Sequence, residues 1–190
     1  MSSRKADLLI LLITLLWGGT FPLIRNSLHY TNANWFVTLR FLLAALIFLP
    51  FVFKRLRKTS IELLLISAVL GLLTGFGYYA QTIGLKTIGS AESAFITSMS
   101  VILIPLFLPL FRLGRPNIVE GVAVILCLIG VYILTGADLA KLSGADFWTL
   151  VCAATTALSV VYLQRMSKRI DDFVLCAFYQ IVFASIIPLI

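Results

Sequence analysis

Residues 61–82 read IELLLISAVLGLLTGFGYYAQT, and this stretch decides the fold of the chain. Its only charged residue is Glu62, next to its first position. An α-helix rises about 1.5 Å per residue, so a stretch of this length crosses the roughly 30 Å hydrocarbon core of a bilayer. Lipid offers no partner to backbone N–H and C=O groups, which must pair within the segment. The stretch therefore predicts a transmembrane helix.

The rest of the sequence repeats this pattern, with apolar stretches separated by short polar loops. Hydrophobic residues make up 61% of the chain and charged residues 12%, whereas soluble globular proteins average about 25% charged residues. Six further stretches are predicted to span the membrane, at 6–24, 35–53, 91–111, 117–135, 145–163 and 173–190. The predicted fold class is an all-α polytopic membrane protein with seven transmembrane helices.

The Lys and Arg residues lie mostly on one side of these spans. Of the 15 such residues, eleven lie on the side of the N-terminus, Arg40 lies within a span, and only Arg25, Lys86 and Lys141 lie on the opposite side. Cytoplasmic loops carry an excess of Lys and Arg, so the N-terminus is predicted to be cytoplasmic. We expect a multi-pass protein of a cell membrane, such as a bacterial inner membrane. The net charge of +7 follows from these loops, and nucleic acid is not an expected partner.

The residue types that catalysis or metal binding would need are scattered. The only histidine, His29, falls in a loop, while Cys127, Cys152 and Cys176 fall in apolar spans without metal-ligand spacing. An intramembrane enzyme needs a positioned nucleophile and base, or metal ligands. We therefore expect no enzymatic activity, no cofactor and no metal site.

The sixth span resembles the first, and the seventh resembles the second. Residues 6–8 match residues 145–147 at an offset of 139, and residues 40–45 fall on residues 180–185 at an offset of 140. Apolar helices also resemble one another by composition, which is the alternative explanation. Five helices precede the sixth span, so a copy that begins there enters the membrane in the opposite direction, as in the inverted repeats of many transporters. We predict one five-helix repeat at residues 1–136 and the start of a second at residues 145–190.

Several short motifs resemble the EamA-type family of the drug/metabolite transporter superfamily. The first two spans contribute WGGTFP at 17–22 and LRFLLA at 39–44. The later motifs are, in chain order, GLK at 84–86, SA at 90–91, Pro105, RP at 115–116, GV at 121–122 and GVYI at 130–133. Their order and spacing extend over nearly the whole chain.

The resemblance implies a ten-helix carrier of amino acids and other small metabolites, with both ends in the cytoplasm. Such a carrier works by alternating access between its two repeats. We expect three further helices after residue 190 and no transport by the 190-residue chain alone. The expected function is export of small metabolites, and the expected partners are the metabolite, the lipid bilayer and a second copy in a homodimer. A non-transporting membrane scaffold and an inactive carrier fragment are the alternatives.

Prolines in the first and fourth spans predict interrupted helices. Pro22 cannot donate a hydrogen bond to the carbonyl four residues earlier, and Pro105 and Pro109 have the same effect in the fourth span. Free carbonyls at membrane depth are tolerated where they line a cavity. The functional interpretation is a substrate cavity beside Trp17 and Thr20. The alternative is a kink repaired by neighbouring helices.

Two polar stripes follow helical spacing. Thr74, Tyr78 and Gln81 lie at i, i+4 and i+7 in the third span, and the fourth span carries Ser93, Thr97 and Ser100 in the same pattern. Such stripes face other helices or a cavity, because lipid offers polar groups no partner. Hydrogen bonding between helices is the structural alternative. Gly71 and Gly75 form a GxxxG spacing, which predicts close helix packing.

Arg40 is the one basic residue inside a span. It lies roughly 8 Å below the outer boundary of the second span. Its side chain either extends to the membrane surface or serves as the counter-ion of a substrate carboxylate. The predicted substrate-binding residues are Trp17, Thr20, Arg40, Tyr78, Tyr79, Gln81, Thr97 and Ser100.

Overall fold

A computed structural model describes residues 3–134 and 143–189, which form eight α-helices. They are α1 (Ser3–Ser27), α2 (Ala33–Val52), α3 (Ile61–Gly84), α4 (Ser90–Ser98), α5 (Ser100–Phe107), α6 (Ile118–Leu134), α7 (Gly144–Met166) and α8 (Phe173–Ala184). Short 3-10 turns lie at Leu56–Lys58, Pro109–Phe111, Ser167–Arg169 and Ile187–Leu189. Lys141 and the predicted repeat boundary at residue 136 lie outside the described residues.

The helices have the lengths and compositions of membrane spans. Within residues 3–134 and 143–189, five stretches are long and apolar enough to cross a membrane: Asp7–Ser27, Ala33–Val52, Ile61–Gly84, Ser90–Phe107 and Gly144–Arg169. Ile118–Gly130 and Phe173–Ala184 are apolar but shorter. Because α4 and α5 together form one stretch, the described helices correspond to the seven predicted spans. The all-α polytopic fold class is confirmed.

Polar side chains at the loop boundaries start the helices. The Asn32 side chain accepts a hydrogen bond from the Trp35 backbone N–H at 2.9 Å, and Ser60 accepts one from Leu63. Ser143 and Asp146 form a reciprocal capping box at α7. These bonds satisfy backbone donors that have no partner within the helix. The loops therefore fix where each apolar stretch begins.

The predicted helix interruptions are partly wrong. Helix α1 runs through Pro22 and α5 runs through Pro105 without a break. The fourth span instead breaks at Met99, and its α-helical part ends at Phe107, before the 3-10 turn that begins at Pro109. There the Met99 N–H bonds to the Ile96 carbonyl at 3.1 Å, and the Ser98 hydroxyl bonds to the Phe95 carbonyl at 2.6 Å. These local bonds compete with the helical pattern. Helix α4 begins at Ser90, and Gly89 occupies its N-cap.

Helix α3 is the central helix, because it packs against both α7 and α8. A Cβ atom added to Gly75 would lie 2.5 Å from the Ala184 carbonyl oxygen in α8, and one added to Gly71 would lie 2.6 Å from the Gln180 carbonyl oxygen. On another side of α3, a Cβ added to Gly77 would lie 2.6 Å from the Thr155 hydroxyl of α7. The close packing predicted for Gly71 and Gly75 is confirmed. Small residues let helices approach where lipid supplies no hydrophobic driving force.

The two ends of the bundle differ. We call the end that holds residues 53–60 and 167–172 the inner end, and the opposite end the outer end. At the inner half, α2, α3, α7 and α8 bury one apolar cluster, which consists of Ala45, Val52, Leu63, Ile66, Leu70, Ile170, Leu175, Cys176 and Phe178. At the outer end, Phe21, Ile24 and Leu85 form a smaller cluster. The polar side chains of the third span lie between these two apolar layers.

Candidate functional site

A cavity of about 210 Å³ lies between α1, α3, α4, α7 and α8. The residues around it come from both ends of the sequence. They are Trp17, Thr74, Tyr78, Gln81, Thr97, Cys152, Thr156, Ser159, Val160 and Gln180. Nine of these ten residues, all except Val160, carry a hydroxyl, amide, thiol or indole N–H group, and none of the ten is charged. The cavity can therefore hydrogen-bond a polar solute but offers no charge of its own.

The i, i+4, i+7 spacing in α3 places Thr74, Tyr78 and Gln81 together on this cavity, as the helical period requires. Two hydrogen bonds tie these residues to neighbouring helices. The Gln81 amide nitrogen donates to the Thr97 hydroxyl of α4 at 3.0 Å, and the Gln180 amide nitrogen of α8 donates to the Thr74 hydroxyl at 2.8 Å. Both amide side chains are thus held in place at the cavity wall.

Trp17 and Thr20 lie on α1 at the side of the cavity. Together with Ile13, Leu16 and Tyr78 they line a groove of about 490 Å³ between α1 and α3. The Thr20 hydroxyl donates to the Trp17 carbonyl at 2.6 Å, so it is bonded within its own helix. Trp17 and Tyr78 line both the groove and the cavity. The two spaces therefore share one aromatic wall.

The Arg40 side chain, on α2, contacts this aromatic wall at the Tyr78 ring. Its guanidinium carbon lies 4.6 Å from the centroid of the Tyr78 ring and 6.0 Å from that of Phe41. Phe41 and Tyr78 themselves meet edge to face, with centroids 5.5 Å apart. A guanidinium within about 6 Å of an aromatic centroid is attracted by the ring's quadrupole. Arg40 thus stacks on a cavity residue without lining the cavity itself.

Two predicted site residues, Tyr79 and Ser100, lie away from the cavity. The Tyr79 hydroxyl donates to the Asn34 side chain at 3.1 Å. Neighbouring residues of a helix point about 100° apart, so Tyr79 cannot share the direction of Tyr78. Ser100 is buried, but the break at Met99 separates it from the helix that carries Thr97. The structure brings Trp17, Tyr78, Gln81 and Thr97 together and leaves these two apart.

Five cavity residues come from α7 and α8 and are not among the predicted site residues: Cys152, Thr156, Ser159, Val160 and Gln180. Cys152, Thr156 and Ser159 follow the i, i+4, i+7 spacing of the α3 stripe, and this spacing was the signal that could have found them. Thr156 and Ser159 line the cavity, because α7 packs closely on α3. In the predicted repeat, Gln180 occupies the position that corresponds to Arg40, and the sequence analysis gives it no role in the site.

Apolar clusters lie on both sides of the cavity along the bundle. The large inner cluster lies on one side, and the cluster of Phe21, Ile24 and Leu85 lies on the other. Leu85 follows Gln81 by one turn of α3, so the outer cluster stands between the cavity and the outer loops. Beyond it, the loops surround a recess of about 830 Å³ that Arg25, His29 and Lys86 help to line.

Comparison with known proteins agrees with this architecture. The profile of the EamA-like transporter family matches residues 4–136. The chain is similar to an uncharacterized transporter of Archaeoglobus fulgidus, with 30% identity over 92% of this chain and 54% of that protein. It is also similar to the uncharacterized transporter YvbV of Bacillus subtilis, with 26% identity over 100% of this chain and 63% of that protein. No solved structure matches significantly.

These curated relatives are longer than the chain, which spans between about half and two thirds of their length. Their names describe transporters, and neither name gives a substrate. The family profile covers α1 to α6, the helices that supply Trp17, Tyr78, Gln81 and Thr97 to the cavity. The family profile matches more than half of this sequence, and the chain is therefore a member of the EamA-like transporter family.

Proposed function

We propose that this protein carries small polar metabolites across a cell membrane and that the cavity between α1, α3, α4, α7 and α8 holds the solute. The observation that supports this most is the composition of the cavity wall. Polar side chains from the first helices, such as Gln81, meet polar side chains from α7 and α8, such as Gln180, around one space. Secondary transporters built from repeats bind their substrates at the interface between an earlier and a later part of the chain.

The proposed mechanism is alternating access. The apolar layers at the two ends would open in turn, while the polar layer between them binds the solute. Binding is expected to be carried by the Gln81 and Gln180 amides and by the Thr74 and Thr156 hydroxyls, which replace hydrogen bonds that the solute makes with water. The proposed direction is export. The proposed orientation has the inner end in the cytoplasm, as the excess of Lys and Arg predicts.

Size also supports a small solute. Sites for drug-sized ligands measure roughly 300–1,000 Å³, whereas this cavity measures about 210 Å³. An apolar cavity of about 150 Å³ in another protein holds one benzene molecule. A metabolite of amino-acid size therefore fits, whereas a larger multidrug substrate would need a wider space.

A resistance screen followed by transport measurements tests this proposal. Cells that overexpress the natural protein are grown on a panel of toxic amino-acid analogues and organic acids, and export of each compound that shows resistance is measured directly. The variant Gln180→Leu removes an amide from the cavity and is expected to slow export about tenfold, which corresponds to the loss of one good hydrogen bond. Transport that is unchanged in this variant would contradict the site.

The matched control is Ser67→Ala. Ser67 is fully buried in α3 and contacts Cys176 of α8, so it lies between the same two helices as Thr74 and Gln180. Its hydroxyl donates to the Leu63 carbonyl at 2.7 Å and does not line the cavity. Export by Ser67→Ala is expected to match the wild type at equal protein levels. A loss of export in both variants would indicate a general packing defect.

A further inference from the structure

Two of the three basic residues on the predicted outer side of the chain meet in one place. Arg25 lies in the last turn of α1, and Lys86 follows the end of α3. Both line the recess of about 830 Å³ at the outer end, which we call the outer recess. Because Lys and Arg are depleted on the outer side of membrane proteins, their meeting in a single recess calls for a physical reason.

The two cations of the outer recess have no acidic partner. Among residues 3–134 and 143–189, neither Arg25 nor Lys86 forms an ion pair, and no acidic residue lines the recess. Asn26, His29 and Ser90 add hydrogen-bonding groups to the same wall. The helix dipole favours a cation near the C-terminal end of each helix, which explains each position singly but not the shared recess. A concave site with charges of one sign attracts ligands of the opposite sign.

The outer recess lies at the depth of the lipid headgroups. Tyr30 lines it, Trp35 lies in the first turn of α2 beside it, and both side chains are exposed. Exposed Tyr and Trp side chains are typical of the boundary between membrane and water. Leu85, which lines the recess from the buried side, belongs to the outer apolar cluster. An anion in the recess therefore lies level with lipid phosphates.

An apolar face of α1 continues from the outer recess toward the membrane interior. Pro22 lines the recess, and Leu15 and Leu8 lie on the same side of the helix, at i−7 and i−14. Both leucines are exposed, and a Cβ added to Gly18 between them would have no atom within 4 Å. Any helix that faces lipid has an apolar surface. Here that surface begins at a recess with two cations, an arrangement that matches a ligand with an anionic head and apolar chains.

We propose that the outer recess binds the headgroup of an anionic phospholipid such as phosphatidylglycerol. Arg25 and Lys86 contact its phosphate, and its acyl chains lie along α1. None of the described residues lines both this recess and the polar cavity, so the lipid is a bound ligand and not the transported solute. A phosphate held by both cations joins α1 to the loop after α3. Soluble phosphate esters offer the same anionic oxygens, and the experiment separates the two sources.

The experiment identifies the lipids that touch the outer recess. Tyr30, which lines the recess and is exposed, is replaced by the photo-crosslinking residue benzoylphenylalanine. The protein is placed in phosphatidylcholine vesicles that contain a minor share of phosphatidylglycerol, and the lipids attached after irradiation are identified by mass spectrometry. The measured quantity is the ratio of attached phosphatidylglycerol to attached phosphatidylcholine, divided by the ratio of the two lipids in the vesicles.

Phosphatidylglycerol is expected to be enriched about fivefold or more at this position, because each Lys or Arg near the membrane surface contributes about that factor for an anionic lipid. Arg25→Gln with Lys86→Gln should remove the enrichment, and Arg25→Lys with Lys86→Arg should retain most of it. The matched control is Lys54→Gln with Arg57→Gln, because these exposed residues of the inner end carry the same charge far from the recess. It should leave the enrichment unchanged.

Thermal unfolding in detergent checks that each variant is folded. If Arg25→Gln with Lys86→Gln does not fold, the two single variants decide, each with an expected loss of about half of the enrichment on a logarithmic scale.

Three results would overturn the proposal. Enrichment that persists in Arg25→Gln with Lys86→Gln would show that these cations do not bind the lipid. An equal loss in Lys54→Gln with Arg57→Gln would show that the net charge of the protein, and not the recess, attracts phosphatidylglycerol. If soluble glycerol phosphate, at the same total concentration as the lipid, removes the enrichment, the recess binds a soluble anion. None of these results bears on export through the cavity, so the proposed function is tested separately.

Discussion

Arg55 and Asp172 lie 117 positions apart in the sequence and form an ion pair at the inner end, with Nη1 and Oδ2 2.8 Å apart. The pair joins the loop after α2 to the loop before α8. Asp172 also caps α8, because its side chain accepts hydrogen bonds from the backbone N–H groups of Val174 and Leu175. Nearby, the hydroxyls of Thr59 and Tyr179 are 2.8 Å apart. These polar contacts therefore join the loop after α2 to α8 and its preceding loop, outside the apolar cluster.

Reversing one charge of this pair should weaken the inner end. We expect Arg55→Asp to lower the free energy of unfolding by about 1 kcal/mol or less, because partly exposed ion pairs contribute little. The double variant Arg55→Asp with Asp172→Arg restores an ion pair of opposite polarity and should recover the stability that the pair contributes. It should not recover the stability that the Asp172 side chain contributes as the N-cap of α8, because Arg cannot accept those hydrogen bonds. Thermal unfolding in detergent measures this. The control is Glu62→Arg with Arg169→Glu, a pair that is longer at 3.3 Å and more exposed. Additive effects of Arg55→Asp and Asp172→Arg would contradict the coupling.

Acid should weaken the same contact. The hydrogen bond from Arg55, and then that from the Leu175 N–H, hold the pKa of Asp172 below its usual range. A carboxyl whose pKa is lowered by folding adds stability above its unfolded pKa of about 3.9 and loses it as the pH falls through the folded value. Thermal stability of the wild type should therefore fall more steeply than that of Asp172→Asn below about pH 4. Identical slopes would argue against this assignment.

The glycines of α3 should be intolerant where they meet α8. Gly75→Ala places a Cβ 2.5 Å from the backbone of Ala184, so the helices must move apart, and we expect a loss of about 1–3 kcal/mol in the free energy of unfolding. Gly121→Ala in α6 is the control, because an added Cβ there has no atom within 4 Å. It should leave stability unchanged or raise it slightly, since Ala favours helix. Equal effects of the two variants would contradict the packing of α3 on α8.

Orientation can be tested with single cysteines at the two ends. Tyr30 is 93% exposed beside the outer recess, and Lys58 is exposed at the inner end. In intact cells, a membrane-impermeant thiol reagent should label Tyr30→Cys and not Lys58→Cys. Permeabilised cells should give labelling of both. Labelling of Lys58→Cys before permeabilisation would place the inner end outside the cell and overturn the predicted topology.

The sequence by itself determined the membrane class, the seven apolar helices and the polar stripe of α3. Each of these follows from properties that lie close together along the chain: apolar length, loop composition and the helical period. The period alone predicted that Thr74, Tyr78 and Gln81 lie on the same side of α3. The division into two repeats and the substrate-binding role of these residues stay predictions.

Only the tertiary structure decided which helices complete the cavity and which side chains miss it. The pairing of α3 with α7 and α8 depends on backbone approach at Gly71, Gly75 and Gly77, and one sequence does not specify which helix fits those gaps. Arg40 stacks on Tyr78 because α2 lies beside α3 in the bundle. Ser100 does not line the cavity, because the helix is interrupted at Met99, between α4 and α5. Contacts between distant segments depend on shape and packing, which the pattern of a single helix does not contain.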